Sequence, residues 1–164
     1  MDVAALVVEA VKLIFPAYCA NATPVLAGGG LPLDFGKNFV DGRRVFGKNK
    51  TFKGFFFGLM IGVLVGLAES YLFGYPLLFS VLSPLGALLG DLAGAFLKRR
   101  LDIAPGGLLP VVDQVDFVVG AIVFSLPLAI ITLDLAVAML IITPPIHLLT
   151  NFLAYKLKLK SNPW

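Results

Sequence analysis

Three short stretches hold the residues of this 164-residue chain that can do chemistry. In GDLAGAFLKRR, residues 90–100, Asp91 sits inside an apolar run that stops on Lys98, Arg99 and Arg100. In VVDQVDF, residues 111–117, Asp113 and Asp116 stand three apart, which puts both carboxylates on one face of a helix. In DGRRVFGKNKTFKG, residues 41–54, Lys48, Lys50, Thr51 and Lys53 offer donors for phosphate oxygens, and Gly42, Gly47 and Gly54 let a ligand approach the backbone closely. Three acids converging on one pocket suit Mg2+, which takes oxygen ligands and usually works together with substrate phosphates. Phosphates in turn bridge a carboxylate-held metal and nearby Lys or Arg side chains. The spacing therefore points to Asp91, Asp113 and Asp116 as metal ligands beside a phosphate site. Each stretch also has a plainer reading: a packing ion pair for Asp91, helix capping for Asp113 and Asp116, and a grip on anionic lipid heads for the basic loop. GRRVFGKN comes near the P-loop pattern, but Asn49 stands where the metal-binding hydroxyl belongs and no strand precedes it.

The elements that must position these groups are membrane spans. The chain is 59% hydrophobic and 14% charged, whereas soluble domains average about 45–50% apolar and about 25% charged. Four runs, 54–72, 75–97, 117–133 and 135–155, approach the ~20 residues that a bilayer crossing needs. A fifth, 3–27, holds Glu9, Lys12, Pro16, Asn21 and Pro24 but is still expected to cross. The expectation is one all-α, membrane-embedded domain over 1–164, with five transmembrane helices and polar loops at 28–53 and 98–116. Every Lys and Arg except Lys12 falls in those loops or in the tail from Lys156. Five alternating spans put all three regions on one side, and the positive-inside rule makes that side cytoplasmic, with the N-terminus outside. The chemistry is then expected at the cytoplasmic surface, because the outer turns at 73–74 and 134 are too short to hold a site.

With 1.5 Å per residue, Asp91 lies roughly 10 Å above Lys98. A charge at that depth costs on the order of 2.5–3.5 kcal/mol on insertion scales, so it is expected to face a cavity or the protein interior. Pro84, Pro127 and Pro144–Pro145 fall in three different spans and are expected to bend them. His147, the single histidine, reads as a packed polar residue, and Asn151, Glu69 and Ser125 carry no specific signal. One cysteine, Cys19, excludes an internal disulfide and a cysteine zinc site. Asp2 and Glu9 stand where a secretory signal would be basic, so the first segment is expected to remain as an anchor. A net charge of +3 gives no reason to expect nucleic acid as a partner. The absence of an internal repeat argues against an inverted-repeat transporter.

GDLAGAFLKRR followed by LLPVVDQVD resembles the signature of the CTP:phosphatidate cytidylyltransferases, the CDP-diacylglycerol synthase family, in which a Gly-Asp-Leu helix ends in Lys-Arg and leads to Leu-Pro and an Asp-Arg-x-Asp. FGKNKTFKG is similar to that family's Lys-Thr-x-x-Gly segment. The short length, five spans and NATPVLAGGGLPLDFGKNFVDGRR resemble most the archaeal branch, the CDP-archaeol synthases. Gly94–Ala95 stand where the bacterial signature has Glu-Ser, its His-Gly-Gly is missing, and Gln114 replaces the Arg between the acids. The resemblance implies transfer of CMP from CTP to an isoprenoid ether lipid phosphate (unsaturated archaetidic acid), with Mg2+ as cofactor and membrane lipids around the site. It implies Asp91, Asp113, Asp116 and Lys98 as the catalytic set. It further implies Asn21, Asp41, Arg44, Lys48, Lys50, Thr51, Lys53, Gly54, Arg99 and Arg100 as the residues that bind the nucleotide. Two other classes remain: a CDP-alcohol phosphotransferase, whose D-x-x-D-G-x-x-A-R pattern Asp41–Gly42–Arg43–Arg44 does not supply, and a small cation or proton transporter using Asp91.

Overall fold

A computed structural model describes residues 2–27, 29–160 and 162; Gly28, the first residue of the expected loop 28–53, lies outside them, as do Met1, Ser161, Pro163 and Trp164. The described residues form five α-helices: α1 (Val3–Ala27), α2 (Phe52–Phe73), α3 (Phe79–Arg100), α4 (Val112–Ser125) and α5 (Leu133–Lys156). In place of strands there are two isolated antiparallel bridges, Pro32 with Thr51 and Asn38 with Arg44. Four helices, all but α4, are long and apolar enough to cross a membrane. α1 covers the expected 3–27. Its Glu9 and Lys12 pair at 3.2 Å, and Glu9 also accepts from the Tyr75 hydroxyl, which explains how an apolar helix carries two charges.

Two expected spans have different bounds. α3 begins at Phe79 rather than 75, because Pro76 restricts Tyr75 to extended backbone. It continues through Lys98, Arg99 and Arg100, cations that complement the negative end of the helix dipole. The second polar segment therefore shrinks to 101–111. The expected span 117–133 is instead a helix over 112–125, followed by a 3-10 turn at Leu126–Leu128. Pro127 lacks an amide hydrogen, and after the 3-10 turn Ala129 takes left-handed backbone at φ 55°, which ends the helical run here; Pro16, Pro24, Pro84, Pro144 and Pro145 lie inside helices that continue. At 14 residues, α4 measures about 21 Å, short of a ~30 Å hydrocarbon core. Asp113 and Asp116 consequently lie within its first two turns rather than ahead of it.

The two halves of the bundle differ. One half is closed by an apolar core of Ala10, Leu13, Ile14 and Ala17 from α1, Phe79 and Ala87 from α3, Phe117, Val118 and Ala121 from α4, and Leu135 and Met139 from α5. α5 buries residues only as far as Thr143; past Pro144–Pro145 none is fully buried, and the helix borders a cavity instead. α2 contributes no large side chain to the core. It buries Gly54, Gly58, Gly62 and Gly66, a four-residue repeat along one face. A Cβ on Gly58 would come within 2.6 Å of the Ala20 carbonyl, and one on Gly66 within 2.6 Å of Ser80 Cα. Bare backbone thus lets α2 lie against α1 and α3, the close packing that membrane helices use where the hydrophobic effect gives no drive.

Candidate active site

The loop between α1 and α2 is organised by Asp34, whose carboxylate is fully buried. It accepts from the backbone amides of Gly36 (3.0 Å), Phe46 (3.2 Å) and Gly47 (2.8 Å) and pairs with the Arg44 guanidinium. Burial by itself would raise the Asp34 pKa; Arg44 and the three amides outweigh it and hold the carboxyl far below the usual carboxylate range. A depressed pKa contributes stability that is fully present above about pH 4, the unfolded value, and is lost as the pH falls through the lower folded value. Asp34→Ala is expected to cost the loop about 1–3 kcal/mol, because it leaves three backbone amides and the partly exposed Arg44 guanidinium without their acceptor. Hydrogen exchange should show the amides of Gly36, Phe46 and Gly47 losing protection at pH 7 in this variant; unchanged protection would remove Asp34 from this role.

The loop then aims its last residues. Leu33 donates to the Lys50 carbonyl at 2.8 Å and Phe52 to the Leu31 carbonyl at 3.0 Å. Thr51 is the N-cap of α2, its Oγ1 accepting from Gly54 at 3.1 Å. Lys50 is thereby fixed facing α3, and its Nζ lies 2.7 Å and 2.6 Å from the two carboxylate oxygens of Asp91. Burial works against this ammonium, but Asp91 first, then Asp116 and Asp113, raise its pKa above that of an ordinary lysine.

A second pair closes the segment 101–111. Lys98 sits 2.8 Å from Asp113 Oδ1 and donates to the Gly107 carbonyl at 3.3 Å, while Asp113 Oδ2 accepts from Leu109 at 2.9 Å. Asp116 is brought in by glycine. Gly86, Gly90 and Gly94 on α3 face Asp116 and Gly120 on α4, and a Cβ on Gly94 would lie only 2.9 Å from Asp116 Cγ. No side chain separates the helices here, so Asp116 can stand beside the Asp91 turn.

These groups border one cavity of about 740 Å3 at the loop end of the bundle, within the usual range for small-molecule sites. Asn21, Lys50, Thr51, Gly54, Asp91, Lys98, Arg99, Asp113 and Asp116 all line it. Arg99 is 7% exposed, and its Nε has no hydrogen-bond partner among the described residues. Five residues expected at the site lie off this wall. Lys48 and Lys53 are exposed. Asp41 pairs with Arg100 Nε at 2.8 Å, and Arg100 stacks over the Phe39 and Phe96 rings at 5.0 and 4.5 Å. Arg44 is held by Asp34. Asp41, Arg44 and Arg100 thus tie the first loop together and to the end of α3.

The sequence reading passed over Asp34, although D-F-G after an apolar pair is a turn signal: Phe35 and Gly36 both have positive φ. It also gave no site to Asn151 and Lys160, and it read His147 as packing; all three line the cavity, together with Tyr18. Among the described residues no group of three or more His, Cys, Asp or Glu side chains stands gathered as a metal cage. The donor set nonetheless fits Mg2+: three carboxylates face one cavity, and the Lys50 ammonium already rests between both oxygens of Asp91, in a cation's place.

A helical bundle, apolar in one half and opening in the other onto carboxylates and cations, is the architecture of an integral membrane protein that works on charged groups. The chain belongs to the CarS-like family, CDP-archaeol synthase, whose model matches residues 3–164. It is 46% identical over 164 residues to the CDP-archaeol synthase of Pyrococcus furiosus, covering 96% of this chain and 98% of that one. It is 40% identical to that of Methanococcus aeolicus over the full length of both. A solved intramembrane enzyme for archaeal membrane lipids biosynthesis superposes with a TM-score of 0.83 at 40% identity, covering 88% of this chain and 94% of that one. Nothing in these matches favours a transporter or a CDP-alcohol phosphotransferase.

Proposed function

We propose that this chain is a CDP-archaeol synthase that transfers CMP from CTP to an isoprenoid ether lipid phosphate. The observation that carries the reading, beside the family, is the cavity wall itself: Asp91, Asp113 and Asp116 interleaved with Lys50, Lys98 and Arg99. A phosphate oxygen of the lipid attacks the α-phosphorus of CTP; the bond from that phosphorus to the α,β-bridging oxygen breaks, and pyrophosphate leaves with the electron pair. A phosphate dianion is already a nucleophile, so the protein's work is alignment and charge neutralisation. Arg99, with its unpartnered Nε, and Lys50, just ahead of the α2 N-cap Thr51, hold the triphosphate. Asp113 orients Lys98 toward the same space. Asp91, Asp113 and Asp116 would hold Mg2+, which when bound supplies Lewis-acid neutralisation of the triphosphate. Lys50 leaves Asp91 as it turns to phosphate.

In this reading the chain lies in the cell membrane with its N-terminus outside and the cavity facing the cytoplasm. The stretch 126–132 completes the crossing that α4 begins. Lipid reaches the cavity between the cavity ends of α1 and α5, where Val25, Leu26, Ala154 and Leu159 make the wall apolar. CTP does not cross membranes, so sealed vesicles test activity and orientation together. Inverted archaeal vesicles given external CTP, Mg2+ and the ether lipid phosphate should form CDP-lipid, and right-side-out vesicles should not. Product in neither preparation, with detergent-purified protein also inactive, would end the enzymatic reading; product only in right-side-out vesicles would reverse the orientation.

A further inference from the structure

Beyond α5 the chain turns back on itself. Lys158 donates to the Tyr155 carbonyl at 2.9 Å, Leu159 to Ala154 at 2.9 Å and Lys160 to Ala154 at 3.3 Å, with Lys158 in left-handed backbone at φ 59°. The turn sends the Lys160 side chain back along α5. Its Nζ donates to Asn151 Oδ1 at 3.0 Å, and Asn151 Nδ2 lies 3.2 Å from His147 Nδ1, one turn further along. Asn151 stands five residues before the end of α5 at Lys156, about 7–8 Å inside it.

That direction is unusual. A lysine close to a membrane surface normally lays its stem along apolar surface and points the ammonium out to water. Lys160 does the reverse and lines the cavity. Burial, followed by the neighbouring cations Lys50 and Lys98, pushes its pKa below that of an ordinary lysine, against the pull of Asp113 and Asp91. An anion entering the cavity relieves both effects.

Its place on the wall says which anion. Lys50 and Arg99 come from the first loop and α3, whereas Lys160 sits on the α5 side with Ala154 and Leu159. The same stretch of α5 turns Leu149, Phe152 and Leu153 outward, 59%, 46% and 50% exposed, as a lipid-facing surface would. A headgroup tethered to bilayer chains would meet Lys160 as it passes the end of that helix.

Resting on the cytidylyltransferase reading above, we propose that Lys160, held by Asn151, which in turn rests against His147, binds the phosphate of the membrane-tethered acceptor lipid, apart from the cations that hold the nucleotide. The experiment compares wild type, Lys160→Met, Lys160→Arg and Asn151→Leu in nanodiscs, with melting temperature as a check on folding. Native mass spectrometry without nucleotide measures binding of a diether glycerol phosphate against the uncharged diether glycerol, and calorimetry measures CTP binding. Lys160→Met should lose about tenfold of the preference for the phosphate-bearing lipid and raise the lipid KM similarly, with CTP affinity unchanged. Lys160→Arg should keep most of both. Asn151→Leu keeps the charge but frees it from its anchor, so it should raise the lipid KM with kcat preserved. Weakened CTP binding with an intact lipid preference would move Lys160 to the nucleotide, and no change in either would overturn the proposal. A wild type that prefers the lipid phosphate through Lys160 yet forms no CDP-lipid would sink the enzymatic reading and leave this site standing.

Discussion

Asp91→Asn should reduce turnover by on the order of a thousandfold, the scale of removing one preorganised electrostatic group from a transition state, while shifting the melting temperature by only a few degrees. Asn keeps the size of Asp but removes the charge that balances both Lys50 and a bound divalent cation. The stability loss is small because the pair is partly open, with side chains 22% exposed for Asp91 and 29% for Lys50, and open ion pairs contribute little to folding. Asp113→Asn and Asp116→Asn should be similarly slow, and raised Mg2+ or Mn2+ should partly rescue at least one of the three. Purely structural acids would behave oppositely: Tm would fall and activity per folded molecule would stay. Near-normal turnover in all three folded variants would remove the metal-site mechanism.

Gly90→Ala should be nearly as damaging, although glycine does no chemistry. The added methyl would lie 3.0 Å from the Asp116 carbonyl carbon and 3.2 Å from Gly120 Cα, with the Asp116 carbonyl oxygen closer still. Backbone surrounds it, so no side chain can rotate away and α4 must back off from α3. Overpacking of this kind costs about 1–3 kcal/mol. The larger effect is on rate, because displacing Asp116 by about 1 Å from the Asp91 turn can cost about a hundredfold. Ala93→Leu, on the exposed face of the same helix, should change neither. Steady-state rates and Tm for the two variants decide the point: wild-type turnover in Gly90→Ala would mean that the spacing of the two aspartates is not critical.

Helix identity was legible from hydropathy because a helix that faces lipid has to be apolar and must satisfy its own backbone. That is why 3–27, 54–72 and 135–155 correspond to α1, α2 and α5 within about two residues at each end. Asp91 was also legible as a residue that faces a cavity, since an intramembrane charge is costly enough to signal one. Where hydropathy failed, local stereochemistry acted: the 3-10 turn at Leu126–Leu128 and left-handed Ala129 ended α4, and Lys98–Arg100 stayed helical because a helix C-terminus favours cations.

Which acid meets which cation was settled only by the tertiary structure. Lys50 and Asp91 are 41 residues apart and share no helix face or turn. They meet because buried Asp34 folds the first loop and Thr51 caps α2 at its end. The same loop draws Arg44 to Asp34 and Arg100 to Asp41, so these residues build the wall rather than line it. In the linear chain their charges are indistinguishable from those of Lys50 and Arg99. The glycines of α2 and α3 are legible as letters, but their effect depends on the helix opposite. Only a facing backbone turns a missing Cβ into an approach close enough to place Asp116 beside Asp91.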